Sequence, residues 1–125
     1  MTIPTEPIGS IPRPLHLIDA MRKWEQGHLS QNELNAISEE AISDTVQRFE
    51  ATGSPVITDG EQTKPSFATY PIHGAPNLAP DGISIPFAHG HIRQLPRLTA
   101  GPFRYTTYAS SYLKVAKLGN SRRLL

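Results

Sequence analysis

Pro55-Val56-Ile57-Thr58-Asp59-Gly60 is the stretch on which the fold turns. A β-branched run held between a proline and a glycine has the composition of a short buried strand. A long helix precedes it. Ser30-Gln31-Asn32-Glu33 has the S-x-x-E form of a capping box, in which serine and glutamate side chains each satisfy a backbone N–H that the first helical turn leaves unpaired. Leu34, Ile37, Ala41, Thr45 and Phe49 then recur at spacings of three and four, and Ile42 and Val46 widen the stripe. Glu39, Glu40, Ser43, Asp44, Gln47 and Arg48 occupy the other face. The pattern predicts an amphipathic helix of about 22 residues, stopped by Gly53 in a left-handed cap.

Upstream, Leu15, Leu17, Ile18, Met21 and Trp24 or Glu25 trace a second helical period. Pro14 suits its first turn and Gly27 its end. Ile8-Gly9-Ser10-Ile11-Pro12-Arg13-Pro14 reads as a short strand running into a tight loop, because Pro12 and Pro14 remove two donors and hold the residues before them extended. The order is thus strand, helix, longer helix, strand. More than the dozen residues required for a parallel crossover separate the two strands, so a parallel α/β architecture is expected.

Beyond Glu61 the periodicity degrades. Pro65, Pro71, Pro76, Pro80, Pro86, Pro96 and Pro102 interrupt the next segment, together with Gly74, Gly82, Gly90 and Gly101. Ile83–Phe87 and His91–Leu95 are expected to pair as a hairpin across Ala88-His89-Gly90, since so long a structureless loop is uncommon in a compact domain. Tyr108, Tyr112, Val115 and Leu118 suggest a third helix over Thr107–Leu118, followed by Gly119. No role is evident for the tail from Asn120 to Leu125.

The chain has 125 residues, about half of what an eight-stranded α/β barrel requires. Twelve Lys and Arg stand against eleven Asp and Glu, and no like-charge run exceeds a pair such as Arg22-Lys23, so the basic stripe of an electrostatic nucleic-acid binder is missing. There is no cysteine, which excludes a disulfide framework or a thiolate metal site built from this chain. Neither a secretory leader nor an apolar run of membrane-spanning length is legible. A cytoplasmic protein is expected.

Chemistry in a parallel sheet gathers at the carboxyl ends of strands. One such end is Ile8-Gly9-Ser10, where glycine admits a ligand to the backbone and Ser10 offers a hydroxyl and an amide. The other is Thr58-Asp59-Gly60-Glu61-Gln62, with carboxylates beside a glycine. Together they could hold a small zwitterion, backbone N–H groups facing its carboxylate and Glu61 its ammonium. Equally, Asp59 could cap a turn and Glu61 be solvated, since D-G-E is a common turn sequence. His89 and His91 are spaced like metal ligands on a strand but lack a third partner, His73 being far upstream, and read as hairpin residues. His16 and His28 read as surface residues. Tyr105, Tyr108 and Tyr112 read as a helix-packing stripe.

Ile8-Gly9-Ser10-Ile11-Pro12-Arg13-Pro14, the helical pair after it, and Val56-Ile57-Thr58-Asp59-Gly60-Glu61-Gln62 followed by Ser66-Phe67 resemble the cobalamin-independent methionine synthase family, and most closely its short single-barrel relatives. The similarity runs from about Thr5 to Lys117. It implies an α/β fold, an incomplete (β/α)8 TIM barrel of two to three βα units carrying a Pro-rich hairpin insertion. Residues 1–117 would form the N-terminal portion of that barrel, and 118–125 a divergent tail, as in a truncated or misread product of a longer gene. The family moves a methyl group from a methyltetrahydrofolate to the thiol of homocysteine, with zinc binding the thiol and lowering its pKa. By resemblance Ile8, Gly9 and Ser10 would contact the carboxylate end of the amino acid, and Glu61 its amino group. The family's zinc ligands are a histidine, cysteines and a glutamate from later strands, and they have no counterpart here, so no catalytic or metal-ligating residue is assigned.

Two functions follow from the resemblance: a homocysteine-type methyltransferase by ancestry, or a non-catalytic barrel fragment or interaction module that keeps part of a substrate pocket. Uroporphyrinogen decarboxylase and coenzyme M alkyltransferases share the barrel and define a third class. An incomplete barrel leaves a strand edge and an apolar helix face uncovered. Self-association in solution is therefore expected, and a monodisperse monomer by light scattering with a sharp thermal transition would contradict it.

Overall fold

A computed structural model describes residues 3, 6–66, 68–117 and 123–124. In chain order its elements are α1 (Leu15–Glu25), α2 (Gln31–Ala51), β1 (Val56–Ile57), a 3-10 turn (Tyr70–Ile72), β2 (Leu78–Ala79), β3 (Ser84–Pro86), β4 (Ile92–Gln94), β5 (Arg97–Leu98), α3 (Ala109–Lys117) and β6 (Arg123–Leu124). They fall into two units. The first joins Met1–Thr63 to Ser110–Leu125, and the second is Lys64–Ala109.

In the first unit α2 begins where the capping box places it. The Glu33 backbone N–H donates to Ser30 Oγ at 3.3 Å, and the Ser30 backbone N–H donates to Glu33 Oε2 at 2.9 Å. Hydrogen bonds from the Ser30 hydroxyl and then from its backbone N–H hold the Glu33 carboxyl below the usual range. Gly53 follows the helix at φ 76°, a left-handed geometry that glycine adopts without a Cβ penalty. The centre of the apolar stripe, Ala41, Ile42, Thr45 and Val46, is buried, and Phe49 packs at its edge. Ile57 of β1 and Ala116 of α3 complete this core. On α1 only Leu17 and Ala20 are buried; Leu15 and Ile18, expected on the same face, are exposed.

Two expectations are corrected. Ile8–Pro14 forms no strand. Ile8 is 99% exposed and Gly9 sits at φ 120°, outside strand geometry, while Pro12 and Pro14 have no N–H to give to a ladder. Conversely, the tail supplies a strand: β6 runs parallel to β1, with Val56 opposite Arg123 and Ile57 opposite Leu124. The rest of the tail, 118–122 and 125, lies outside the described residues, as does Phe67. The third helix is somewhat shorter than expected. Tyr105 and Tyr108 precede it and are exposed, their rings edge to face with centroids 6.3 Å apart.

The second unit is two small antiparallel ladders. β3 and β4 form the expected hairpin, with Ser84 opposite Gln94 and Pro86 opposite Ile92. Phe87 N–H donates to the His91 carbonyl at 2.8 Å, and Gly90 turns the chain at φ 77°. β2 pairs with β5, Leu78 opposite Leu98. Gly82 passes so close to Leu95 that an added Cβ would lie 2.4 Å from its carbonyl oxygen. Arg97 forks onto Asp81, Nε to Oδ1 at 3.0 Å and Nη2 to Oδ2 at 2.9 Å, which closes the ends of both ladders.

That fork lowers the Asp81 carboxyl from its ordinary 3.8 through the hydrogen bond from Arg97. A depressed carboxyl contributes stability that is complete above the unfolded-state value and is lost as pH falls through the folded-state value. The pair is exposed, so salt screens it. The Arg97 Nε–H resonance should shift toward its unpaired position as pH falls through the depressed Asp81 value, below the ordinary 3.8, or in molar salt; Asp81→Asn should abolish that dependence, as NMR of the side-chain proton would report.

Candidate functional site

The two loops singled out by their sequence meet in the first unit. Ile11 N–H donates to the Gly60 carbonyl at 3.1 Å, and the Thr58 hydroxyl donates to the Gly9 carbonyl at 3.0 Å. The same hydroxyl accepts from Gly60 N–H at 3.2 Å, so a single buried side chain holds both loops. Arg13 reaches across in the other direction, its Nε donating to the Gln62 carbonyl at 2.6 Å and its Nη2 to that of Glu61 at 3.4 Å. Proline on either side of Arg13 removes the neighbouring backbone donors, and its guanidinium makes the tie.

Space at the crossing is set by Gly60. It sits at φ 68°, and a Cβ there would lie 2.7 Å from Ile11 Cγ1, 3.0 Å from Gln62 Nε2 and 3.1 Å from Thr45 Cγ2. Glu61 follows at φ 54°, alone among the described non-glycine residues in having a positive φ. Its backbone N–H donates to Asp59 Oδ1 at 2.9 Å, an Asx turn that holds the strained residue in place. Such strain costs about 1 kcal/mol or more and persists where surrounding bonds over-determine it. Asp59 thus caps the turn, as one of the two sequence readings proposed, and both Asp59 and Glu61 are half-buried.

Gln62 closes the motif that begins at Val56, but sequence gives it no role, since nothing in the pattern marks its side chain as buried. It is completely buried. Its Nε2 faces two carbonyls, Gly60 at 3.4 Å and Ile11 at 3.5 Å, both long contacts, while its Oε1 has no donor among the described residues. A buried acceptor without a donor costs about 1–3 kcal/mol. Among the residues named by sequence, Gly9 is bonded through its carbonyl, while Ile8 and Ser10 are exposed at the edge of the crossing.

Elsewhere, a groove of about 360 Å³ in the first unit is lined by Leu34, Ile42, Thr63 and Tyr112 among others. A cavity of about 430 Å³ in the second is lined by Ile72, His73, Leu78, Gln94 and Leu95 among others. Neither includes Ser10, Asp59 or Glu61 in its wall. His89 and His91 are exposed on the hairpin turn. Among the described residues no three His, Cys, Asp or Glu side chains converge as a metal site, and no helix is long and apolar enough to cross a membrane.

Over 68 residues, 54% of its length, the chain is 32% identical to a methionine synthase of Sulfurisphaera tokodaii, and the match spans 20% of that protein. Over 69 residues, 55% of its length, it is 30% identical to a 5-methyltetrahydropteroyltriglutamate–homocysteine methyltransferase of Syntrophotalea carbinolica, spanning 9% of it. No family model matches the chain. No solved structure matches it either.

The crossing makes opposite demands on neighbouring positions. Gly60→Ala, which places a Cβ against Ile11 in a left-handed backbone, should destabilise the chain by at least about 2 kcal/mol. Glu61→Gly, which relieves the same geometry, should stabilise it by about 0.5–1 kcal/mol. Urea denaturation followed by circular dichroism reads both.

Proposed function

We propose that the chain carries the amino-acid-binding loops of a cobalamin-independent methionine synthase, with residues 1–117 as the opening βα units of its (β/α)8 barrel, and that it binds a homocysteine-like amino acid without itself completing methyl transfer. The carrying observation is the crossing of the two loops: segments 49 residues apart at Gly9 and Thr58 are joined by a direct hydrogen bond. The partial likeness to two proteins named for methionine synthesis and homocysteine methylation supports the choice of ligand.

In this reading Ile8, Gly9 and Ser10 receive the carboxylate of the amino acid through the exposed Ser10 hydroxyl and the backbone around Gly9, where the missing Cβ leaves room for close approach. Glu61, half-buried and held by its left-handed backbone, takes the ammonium. The strain at Glu61 is what a site needs when a carboxylate must be held at one place by its neighbours. In the enzyme family zinc supplies a thiolate near neutral pH. The residues here do not fit that role: the chain has no cysteine, and no suitable trio converges among the described residues.

Isothermal titration of the chain with L-homocysteine, the ligand thiol kept reduced, should give saturable binding. Glu61→Gln, which keeps the shape and removes the charge, should weaken it about tenfold or more, as expected for a charge-assisted contact. Titration with 4-mercaptobutyrate, which lacks the amino group, should be equally weak for both proteins. Binding of homocysteine that is indifferent to Glu61→Gln would overturn the assignment.

A further inference from the structure

We infer that Gln62 is a positioning residue of the proposed amino-acid site: its buried amide clasps the carbonyls of Ile11 and Gly60, and so fixes the separation of Ser10 and Glu61, which adjoin those two residues. The inference rests on the reading of that site given above.

The clasp is reciprocal with that of Arg13. Arg13 stands on the first loop and holds carbonyls of the second; Gln62 stands on the second and holds a carbonyl of the first. The orientation of the Gln62 amide is not interchangeable. Turning it over would set Oε1 against two carbonyl oxygens, acceptor against acceptor, so Nε2 must face Ile11 and Gly60. Oε1 is then left inside the unit with no donor among the described residues. An apolar side chain of similar volume would fill the same space without that orphan. Glutamine therefore serves the core poorly and the loop separation well. Gly60 belongs to the same device, because its missing Cβ lets the amide lie directly against the backbone.

The distinguishing experiment is Gln62→Met. It should leave the melting temperature unchanged or raised, since it removes the orphan acceptor. It should weaken homocysteine binding about tenfold, and amide hydrogen exchange at Ile11 should accelerate while α2 is unaffected. A lower melting temperature with unchanged affinity would make Gln62 an ordinary core residue and overturn the inference. Unchanged exchange at Ile11 would overturn it too. Gln62→Glu provides a second arm should the first variant fail to fold. Its protonated carboxyl can donate to a carbonyl at acidic pH, and its ionised form, facing two carbonyl oxygens, cannot. Affinity in this variant should fall as pH rises with helicity intact, and a profile identical to that of the wild type would overturn the inference. Failure of the wild-type chain to bind homocysteine would overturn the amino-acid reading itself, whereas exchange at Ile11 in the ligand-free protein reads the clasp regardless of that result.

Discussion

The hydrogen bond from Ile11 N–H to the Gly60 carbonyl exists because nothing larger than hydrogen stands on the Gly60 α-carbon. Everything near the candidate site depends on that close approach. It brings the Pro-flanked segment before α1 against the loop after β1, lets Thr58 bond both, and presses the Gln62 amide into the space that a side chain would take. The left-handed turn continues into Glu61, whose strain is held by Asp59 on one side and by the Arg13 contact to its carbonyl on the other. Backbone geometry, more than apolar burial, defines this corner of the molecule.

Burial does its work at β1 itself. Ile57 is fully enclosed by Ile42 and Val46 of α2 and by Ala116 of α3, and burial of one such side chain contributes about 1.5–3 kcal/mol. The long helix is thus both the platform for the core and, through Thr45, a wall of the loop crossing. One element links the stable part of the first unit to the part with chemistry.

What could be read from sequence follows the range over which the signal acts. The capping box at Ser30 and Glu33, the stripe from Ala41 to Val46 and the glycine stop at Gly53 are local, and α2 conforms to them. The Ile83–Leu95 hairpin was legible for the same reason, its turn residues lying between its strands. The segment at Ile8 misled because an extended, proline-rich run looks like a strand until a partner is sought, and Pro12 and Pro14 cannot supply one. β6 was invisible because its two residues have no pattern of their own and acquire one only beside β1. The site was legible in part. Gly9, Ser10 and Glu61 stand in recognisable motifs, whereas Arg13 and Gln62 matter through contacts with residues 48 to 51 positions away, which no local pattern encodes.

The first unit is discontinuous: the chain leaves it after Thr63 and re-enters at Ser110, and the second unit occupies the whole excursion. Polymer physics makes such an excursion forgiving. Each doubling of a flexible loop adds only about 0.6 kcal/mol to the entropy of closing it. The proline-rich segment is thus free to lengthen, shorten or exchange its ladders over evolutionary time at little expense to the core around Ile57, whereas a single methyl group added at Gly60 meets Ile11, Gln62 and Thr45 at once. Related chains should accordingly diverge in length between these two points and stay constant in length between Gly9 and Gln62.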